Sequence, residues 1–522
     1  MIPTYQVVLA GGTVLYVGFF LVQTIWTSYK NRQKALALSC KPAHVAPSGP
    51  FGLFAFYEVS QAVKNKTWLP WIETQFRKHG NTFIRPVLGR SIIMTSEPEN
   101  VKALLATQFS DFGLGNRYEH FLPLLGDGIF TLDGNGWSHS RALLRPQFSR
   151  EQVADIHQLD EHVGHLLTHI PTDGSAFDIQ ELFFRLTLDS STEFLFGESV
   201  NSLVNSSYTN SGVPVKSING QMGFEDAFNL SQDYLAARTR AQSLYWLINP
   251  KAFRDANRIC HQLVDYYVNM ALDPKANKDF KSTQERDRYI FLEALVKDIR
   301  DPKLLRDQLL NILIAGRDTT ASLLSSVFYS LAHNPKVWAK LRNEVVSKFG
   351  TIKEPKEEIT FSSLKDVTYL RYVLDEALRM YPPVPLNART ALKDTTIPVG
   401  GGPNGASPIF IPKGITVSYS VWAMHRRTDL WGPDAAKFVP ERWEGGKMRG
   451  WQYVPFNGGP RICLGQQYAL TEAGFVTVKL LQTFENIENA DPRLGDPLIN
   501  TNVTMSHENG VHIKLLSGSK AQ

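Results

Sequence analysis

The stretch Phe456-Asn-Gly-Gly-Pro-Arg-Ile-Cys-Leu-Gly465 constrains this chain more than any other part of it. It places a single cysteine, Cys463, in a Gly/Pro-rich turn that runs directly into a helical pattern from Gln466 to Phe484. A sulfur just ahead of a helix N-terminus feels the positive end of the macrodipole, a bias of about 0.3–1 kcal/mol toward thiolate. Gly458, Gly459 and Gly465 permit close backbone approach to a flat group, and their amides can donate to sulfur. Arg461 adds a fixed positive charge whose geometry suits carboxylates. A lone cysteine is most often a small buried hydrophobe, but that reading leaves the glycines, the arginine and Phe456 unexplained.

Together these residues suit the proximal face of a haem. The pattern Phe456-x-x-Gly459-x-Arg461-x-Cys463-x-Gly465 resembles the haem-binding signature of the cytochrome P-450 monooxygenases. The resemblance implies haem b with Cys463 as its axial thiolate, a ligand that favours O–O cleavage. It also implies the P-450 fold, mainly α with a small β-sheet.

The periodicity agrees with that architecture. Helical patterns run over Pro98–Ala106, Arg150–His169, Gln180–Phe196, Asn257–Ala271, Leu304–Leu331 and Pro335–Phe349. Strand-like runs are short: Asn81–Pro86, Ser91–Thr95, Ile409–Ile411, Thr416–Tyr419 and Val511–Leu516. No linker between about 51 and 515 is long or polar enough to separate domains. The net charge of +5 is small for 522 residues and the basic residues are scattered, which gives no case for nucleic acid. Only Cys40, Cys260 and Cys463 occur, without zinc-like spacing, so a reducing compartment is expected.

The N-terminus differs from the rest. Residues 2–29 carry no charge, Val7–Ile25 is about long enough to span a bilayer, and Lys30, Arg32 and Lys34 follow at once. The positive-inside bias places the chain after this segment in the cytosol. The expected organisation is a single-pass anchor over 1–29, a basic and Pro-rich hinge over 30–50, and a haem-thiolate monooxygenase domain over 51–522. That arrangement predicts the endoplasmic reticulum membrane with the catalytic domain facing the cytosol.

Ala315-Gly-Arg-Asp-Thr-Thr320 interrupts an otherwise apolar helical run. Gly316 lowers helix propensity and Thr319 can turn its hydroxyl to an i−4 carbonyl, so local loosening of the helix is expected. An acid beside an alcohol is what proton delivery during dioxygen activation requires. In the family pattern Asp318 and Thr319 match that catalytic pair, and Arg317 fills a variable position. Trp137 and Arg141 stand one turn apart as donors for a carboxylate. By the resemblance they hold a haem propionate, as do Arg389 and Arg461. Glu376-Ala-Leu-Arg379 and the Pro440-Glu441-Arg442 segment match elements that lock the core behind the haem, a structural role. Gly400-Gly-Gly-Pro-Asn-Gly405 satisfies GxGxxG formally, but Pro403 and the short preceding run mark a hairpin turn rather than a dinucleotide site. Electrons must therefore come from a separate protein, which the resemblance implies is the membrane NADPH–cytochrome reductase.

Phe112–Asp133, the Ala315–Ala321 helix and the run after Cys463 look like the fungal alkane and fatty-acid terminal hydroxylases. The expected reaction inserts one atom of O2 into the terminal methyl of a medium- or long-chain alkane or fatty acid. Phe112, Phe121, Phe130, Leu313 and Ile314 are apolar candidates to line the pocket. The alternatives are another lipophilic substrate, in-chain hydroxylation, or an O2-independent haem-thiolate isomerase. The intact Asp318–Thr319 pair argues against the last.

Overall fold

The computed structural model describes residues 4–148, 156–204, 208–273, 289–446, 449–493 and 496–517. The chain falls into two compact units. The first comprises Met1–Glu58, Thr74–Gly113 and Ala388–Tyr419, the second Val59–Glu73, Leu114–Asn387 and Ser420–Gln522. Neither is a contiguous segment, which explains why no linker is visible in the sequence.

The first unit begins with α1 (Thr4–Ala37) and is otherwise mostly sheet. Its strands are β1 (His44–Val45), β2 (Thr82–Val87), β3 (Arg90–Thr95), β4 (Phe112–Gly113), β5 (Leu386–Ala391), β6 (Thr395–Gly401), β7 (Ser407–Ile411) and β8 (Thr416–Ser420). A six-stranded sheet runs in the order β1-β2-β3-β8-β5-β4. The β2–β3 hairpin pairs Thr82 with Thr95 and Val87 with Arg90, and β3 runs parallel to β8. β6 and β7 form a separate antiparallel hairpin that closes through the 402–406 turn, as the Gly/Pro/Asn chemistry predicted. Gly402 takes φ +79° there, which favours glycine.

The second unit is mainly helical, with a three-stranded and a two-stranded sheet of short strands. It carries α2 (Gly134–Leu144), α3 (Ile179–Phe196), α4 (Phe224–Arg240), α5 (Lys251–Leu272), α6 (Pro302–His333), α7 (Thr368–Met380) and α8 (Gln466–Thr483). α6 is its axis. Asp301 caps it by accepting from the Lys303 and Leu304 amides at 2.8 and 3.3 Å, and Pro302 occupies the first turn. Leu309, Leu310, Leu313, Leu324, Val327, Phe328 and Leu331 are all fully buried along it. A helix buried along most of its length, polar residues such as Gln308 and Asn311 included, belongs in a core. α3 lies along α6 and ends at Gly197, which adopts the left-handed conformation of a helix stop (φ +79°).

The predicted elements are present with shifted ends. Asn257–Ala271 extends six residues earlier, to Lys251, and Pro98–Ala106 is a short α-turn to Lys102 followed by a π-turn over Ala103–Thr107. The helix predicted from Arg150 is seen over His157–Thr168, and residues 150–155 lie outside the described residues. Among the described residues no helix is long and apolar enough to cross a membrane.

Candidate active site

The cysteine loop is held from both ends. Asn457 and Gly459 take left-handed φ values of +63° and +64°, and the Cys463 amide donates to the Phe456 carbonyl at 3.0 Å. The glycines have local reasons that the sequence reading did not foresee. A Cβ at Gly458 would stand 2.6 Å from the Trp451 ring, whereas one at Gly465 would make an ordinary 3.7 Å contact with Phe148. Trp137, Arg141 and Arg461 gather beside this loop. Arg141 Nη1 donates to the Ile462 carbonyl at 3.0 Å, and the Arg461 guanidinium lies 4.4 Å from the centre of the Trp137 ring. Arg461 also meets Asp133 at 2.6 Å. Asp133 Oδ2 in turn accepts from the Leu114 amide at 2.6 Å. Sequence reasoning missed this carboxylate; its place just before a Gly-Asn-Gly helix start was the available signal. Arg389 belongs to the first unit, where it is buried on β5 with its guanidinium 6.0 Å from the Tyr419 ring centre.

Cys463 combines two properties that seldom coincide. It lies deep enough that desolvation pushes its thiol above the usual range, opposed by the Gly465 amide and by Arg141. Yet its surface is exposed. Burial therefore works against the expected bias toward thiolate, with one amide and one cation opposing it. A metal ion would supply the missing stabilisation of the thiolate. The donor set fits a haem on these grounds: the exposed Cys463, two guanidiniums and an indole beside it, and the half-buried Phe456 ring.

Behind the loop lies a saturated ionic core. Glu376 and Arg379 on α7 are fully buried and joined by two bonds of 2.8 and 2.9 Å. Glu376 also accepts from the Val439 amide, Arg442 and Trp443 at 3.0–3.3 Å. The remaining Arg379 donors reach the carbonyls of His425, Ala435 and Lys437. The structural role expected for this pair matches that geometry. His425, which sequence reading passed over, connects the core to the cysteine loop. The Val454 amide donates to its Nε2 at 3.1 Å, so the proton sits on Nδ1, which donates to the Arg379 carbonyl at 3.2 Å. Burial holds His425 neutral, with its pKa pushed down to about 3.

On α6, Thr319 is half-buried and donates to the Ala315 carbonyl at 2.7 Å, as predicted. The predicted loosening does not follow, since α6 remains continuous from Pro302 to His333. A hydroxyl can share an i−4 carbonyl without breaking the ladder, and Gly316 serves another purpose. A Cβ there would come within 2.8 Å of Ser191 Oγ on α3, so the glycine permits the close crossing of the two helices. Asp318 is buried, and desolvation pushes its carboxyl up against the opposing pull of Arg317. Of the expected pocket residues, Leu313 and Ile314 are packed into the core with Phe121 and Phe130 half-buried against the same cluster, and Phe112 is buried on β4.

Comparison with known proteins agrees with this arrangement. The cytochrome P450 family model matches residues 47–513. Cytochrome P450 52A12 of Debaryomyces hansenii is 52% identical over 483 residues, 92% of each chain. Cytochrome P450 52A6 of Candida tropicalis is 50% identical over 506 residues, 95% of each chain. Cytochrome P450 52A3-A of Candida maltosa is 49% identical over 519 residues, 98% of this chain and 96% of the relative. Similarity of that extent, with a cysteine-bearing loop in front of α8 and a polar turn on α6, makes the chain a member of the cytochrome P450 family and a haem-thiolate monooxygenase.

Proposed function

We propose that this monooxygenase hydroxylates the terminal methyl of medium- or long-chain n-alkanes, fatty acids, or both. The observation that carries the reading is the resemblance of Phe112–Asp133, Ala315–Ala321 and Cys463–Glu472 to the fungal terminal hydroxylases, within a chain about half identical to family 52A relatives over nearly its whole length. One oxygen atom of O2 enters the C–H bond; the other leaves as water with two protons and two electrons. The electrons come from NADPH through the membrane cytochrome reductase.

A haem held by Cys463 would supply dioxygen activation and C–H oxidation. Trp137, Arg141, Arg389 and Arg461 would hold its carboxylates, and Phe456 would pack against it. Thr319, with its hydroxyl on the half-buried face of α6, passes protons, and Asp318 resupplies them. The loop bonds to His425 and Phe456 fix the conformation of the segment that carries Cys463.

α1 anchors the protein in the endoplasmic reticulum membrane, with residues 30–50 as a hinge and 51–522 as the catalytic domain facing the cytosol. Phe19, Val22, Ile25, Trp26 and Tyr29 all stand exposed on α1. Trp26 and Tyr29 stack at 6.1 Å with Lys30 over the indole, an arrangement suited to a membrane interface.

The test is a competition assay. The protein, reconstituted with reductase in membranes, is offered an alkane and a fatty acid of equal chain length, and mass spectrometry locates the hydroxyl. Terminal alcohol from either supports the reading and identifies the preferred end group. In-chain alcohol alone, or no turnover with an intact haem spectrum, would assign the site to another lipophilic substrate.

A further inference from the structure

Arg317, between the glycine and the acid of the α6 motif, is one of the largest fully buried side chains in the molecule. Its Nη1 donates to Asn229 Oδ1 at 2.7 Å and to Asp318 Oδ1 at 2.9 Å. The Glu225 carboxylate stands 3.9 Å from Nη2. The rings of Phe184 and Phe228 flank the guanidinium at 5.2 and 5.5 Å. One cation is thus shared by a carboxylate on its own helix and by Glu225 and Asn229 on α4, against an aromatic ring on α3.

This cluster differs from the ionic core on α7 in one respect. Arg317 Nε, Asp318 Oδ2 and Glu225 Oε2 are buried with no hydrogen-bond partner among the described residues. An arrangement serving stability alone would saturate these atoms, because a buried polar atom without a partner is costly. Oδ1 is fixed by Arg317, and the Gln232 side chain of α4 also acts on the carboxyl, which leaves Oδ2 within reach of a water or a side-chain donor. Because Asn229 and Glu225 stand on α4, the place of the guanidinium depends on a second helix.

We propose that Arg317 is a positioning residue for the monooxygenase reaction, orienting the Asp318 carboxyl for proton delivery and tying that orientation to α4 through Asn229 and Glu225. The inference rests on the assignment of Asp318 as the proton-supplying acid. The titratable groups facing the guanidinium are Asp318 on α6, Glu225 on α4 and Cys260 on α5, with Phe184 contributed by α3. Without Arg317 two buried carboxylates lose their cation, and protonation is their cheapest response.

The experiment compares Arg317→Lys, Arg317→Met, Asn229→Ala and Asp318→Asn in the full-length, haem-loaded protein with its reductase in membranes. Product formed per NADPH, peroxide released and the pH profile of coupled turnover are measured. Infrared spectra of the same holoenzymes, without substrate, report protonated buried carboxyls. Arg317→Met should lower coupled product on the order of tenfold, part of the roughly 10²–10⁴-fold that proton-transfer groups contribute, and raise peroxide. The limb of the pH profile belonging to the acid should move to higher pH. A protonated carboxyl band should appear in Arg317→Met and diminish in the double variant with Asp318→Asn. Arg317→Lys should recover part of the coupling, and Asn229→Ala should show a smaller change in the same direction. If Arg317→Met loses haem or stability while the remaining holoenzyme keeps its product ratio, pH profile and infrared spectrum, Arg317 is only structural and the proposal fails. Full coupling in Asp318→Asn would instead overturn the acid assignment, and the infrared band would show separately whether Arg317 governs the carboxyl's charge.

Discussion

The two polar clusters buried in the helical unit differ in how far their hydrogen bonds are satisfied. On α7 every Arg379 donor is used, and Glu376 accepts from five groups. On α6 the Arg317–Asp318 pair leaves donors and acceptors unmatched. A saturated network can only lose by rearranging, so it fixes geometry. An unsaturated one retains capacity for water or a moving proton. The cysteine loop hangs from the first through His425, and the proposed proton path runs through the second.

The largest effect that would test this contrast is expected at the proposed iron ligand. Cys463→Ser should abolish the thiolate-type spectrum of the ferrous–CO complex together with turnover; persistence of that spectrum would show that another group binds iron. Next comes the saturated core. Glu376→Ala leaves Arg379 buried without its counter-charge and should cost about 3–5 kcal/mol, seen as loss of folded, haem-containing protein on denaturant titration. Should Glu376→Ala remain stable but turn over poorly, the division between fixing and reacting clusters would be wrong.

Thr319→Ala should behave in the opposite way. Stability should change by less than about 1 kcal/mol, since a half-buried hydroxyl bonded to its own helix contributes little. Product per NADPH should fall at least severalfold as peroxide rises. Equal coupling in the variant would remove Thr319 from proton delivery.

The smallest effect is one of pH. His425 and His507 are buried and neutral, each with a folded pKa near 3 against about 6.5 when unfolded. Between those values the unfolded chain binds the extra protons, so stability falls as pH drops below about 6.5 and is unaffected by these groups above it. The slope is at most about 1.4 kcal/mol per pH unit for each histidine. Unfolding of His425→Gln followed from pH 7 to 5 should show a shallower decline than the parent. An unchanged slope would mean that His425 is not the neutral link between α7 and the loop.

Much of this was legible in the sequence because it depends on local chemistry. The Cys463 loop, the α6 run, the helix starting at Pro335 and the 400–405 hairpin turn are each set by short-range pattern, and short-range pattern is what a chain shows. Boundaries were less legible: α5 begins at Lys251 because packing against α4 continues the helix past the point where the apolar period is clear. The reason for Gly316 was misread for the same cause, since a glycine that loosens a helix and one that admits a neighbouring helix look alike in one dimension.

The sequence by itself determined the helical class, the single thiolate candidate and the proposed acid–alcohol pair, for these follow from residue types at fixed spacing. Only the tertiary structure decided what those residues touch. It brought Asp133 to Arg461 across 328 residues and placed His425 between Arg379 and Val454. It set Arg317 against Asn229 and Glu225 of another helix. Such contacts depend on how helices cross, and crossing is a property of whole packed surfaces that no single segment encodes.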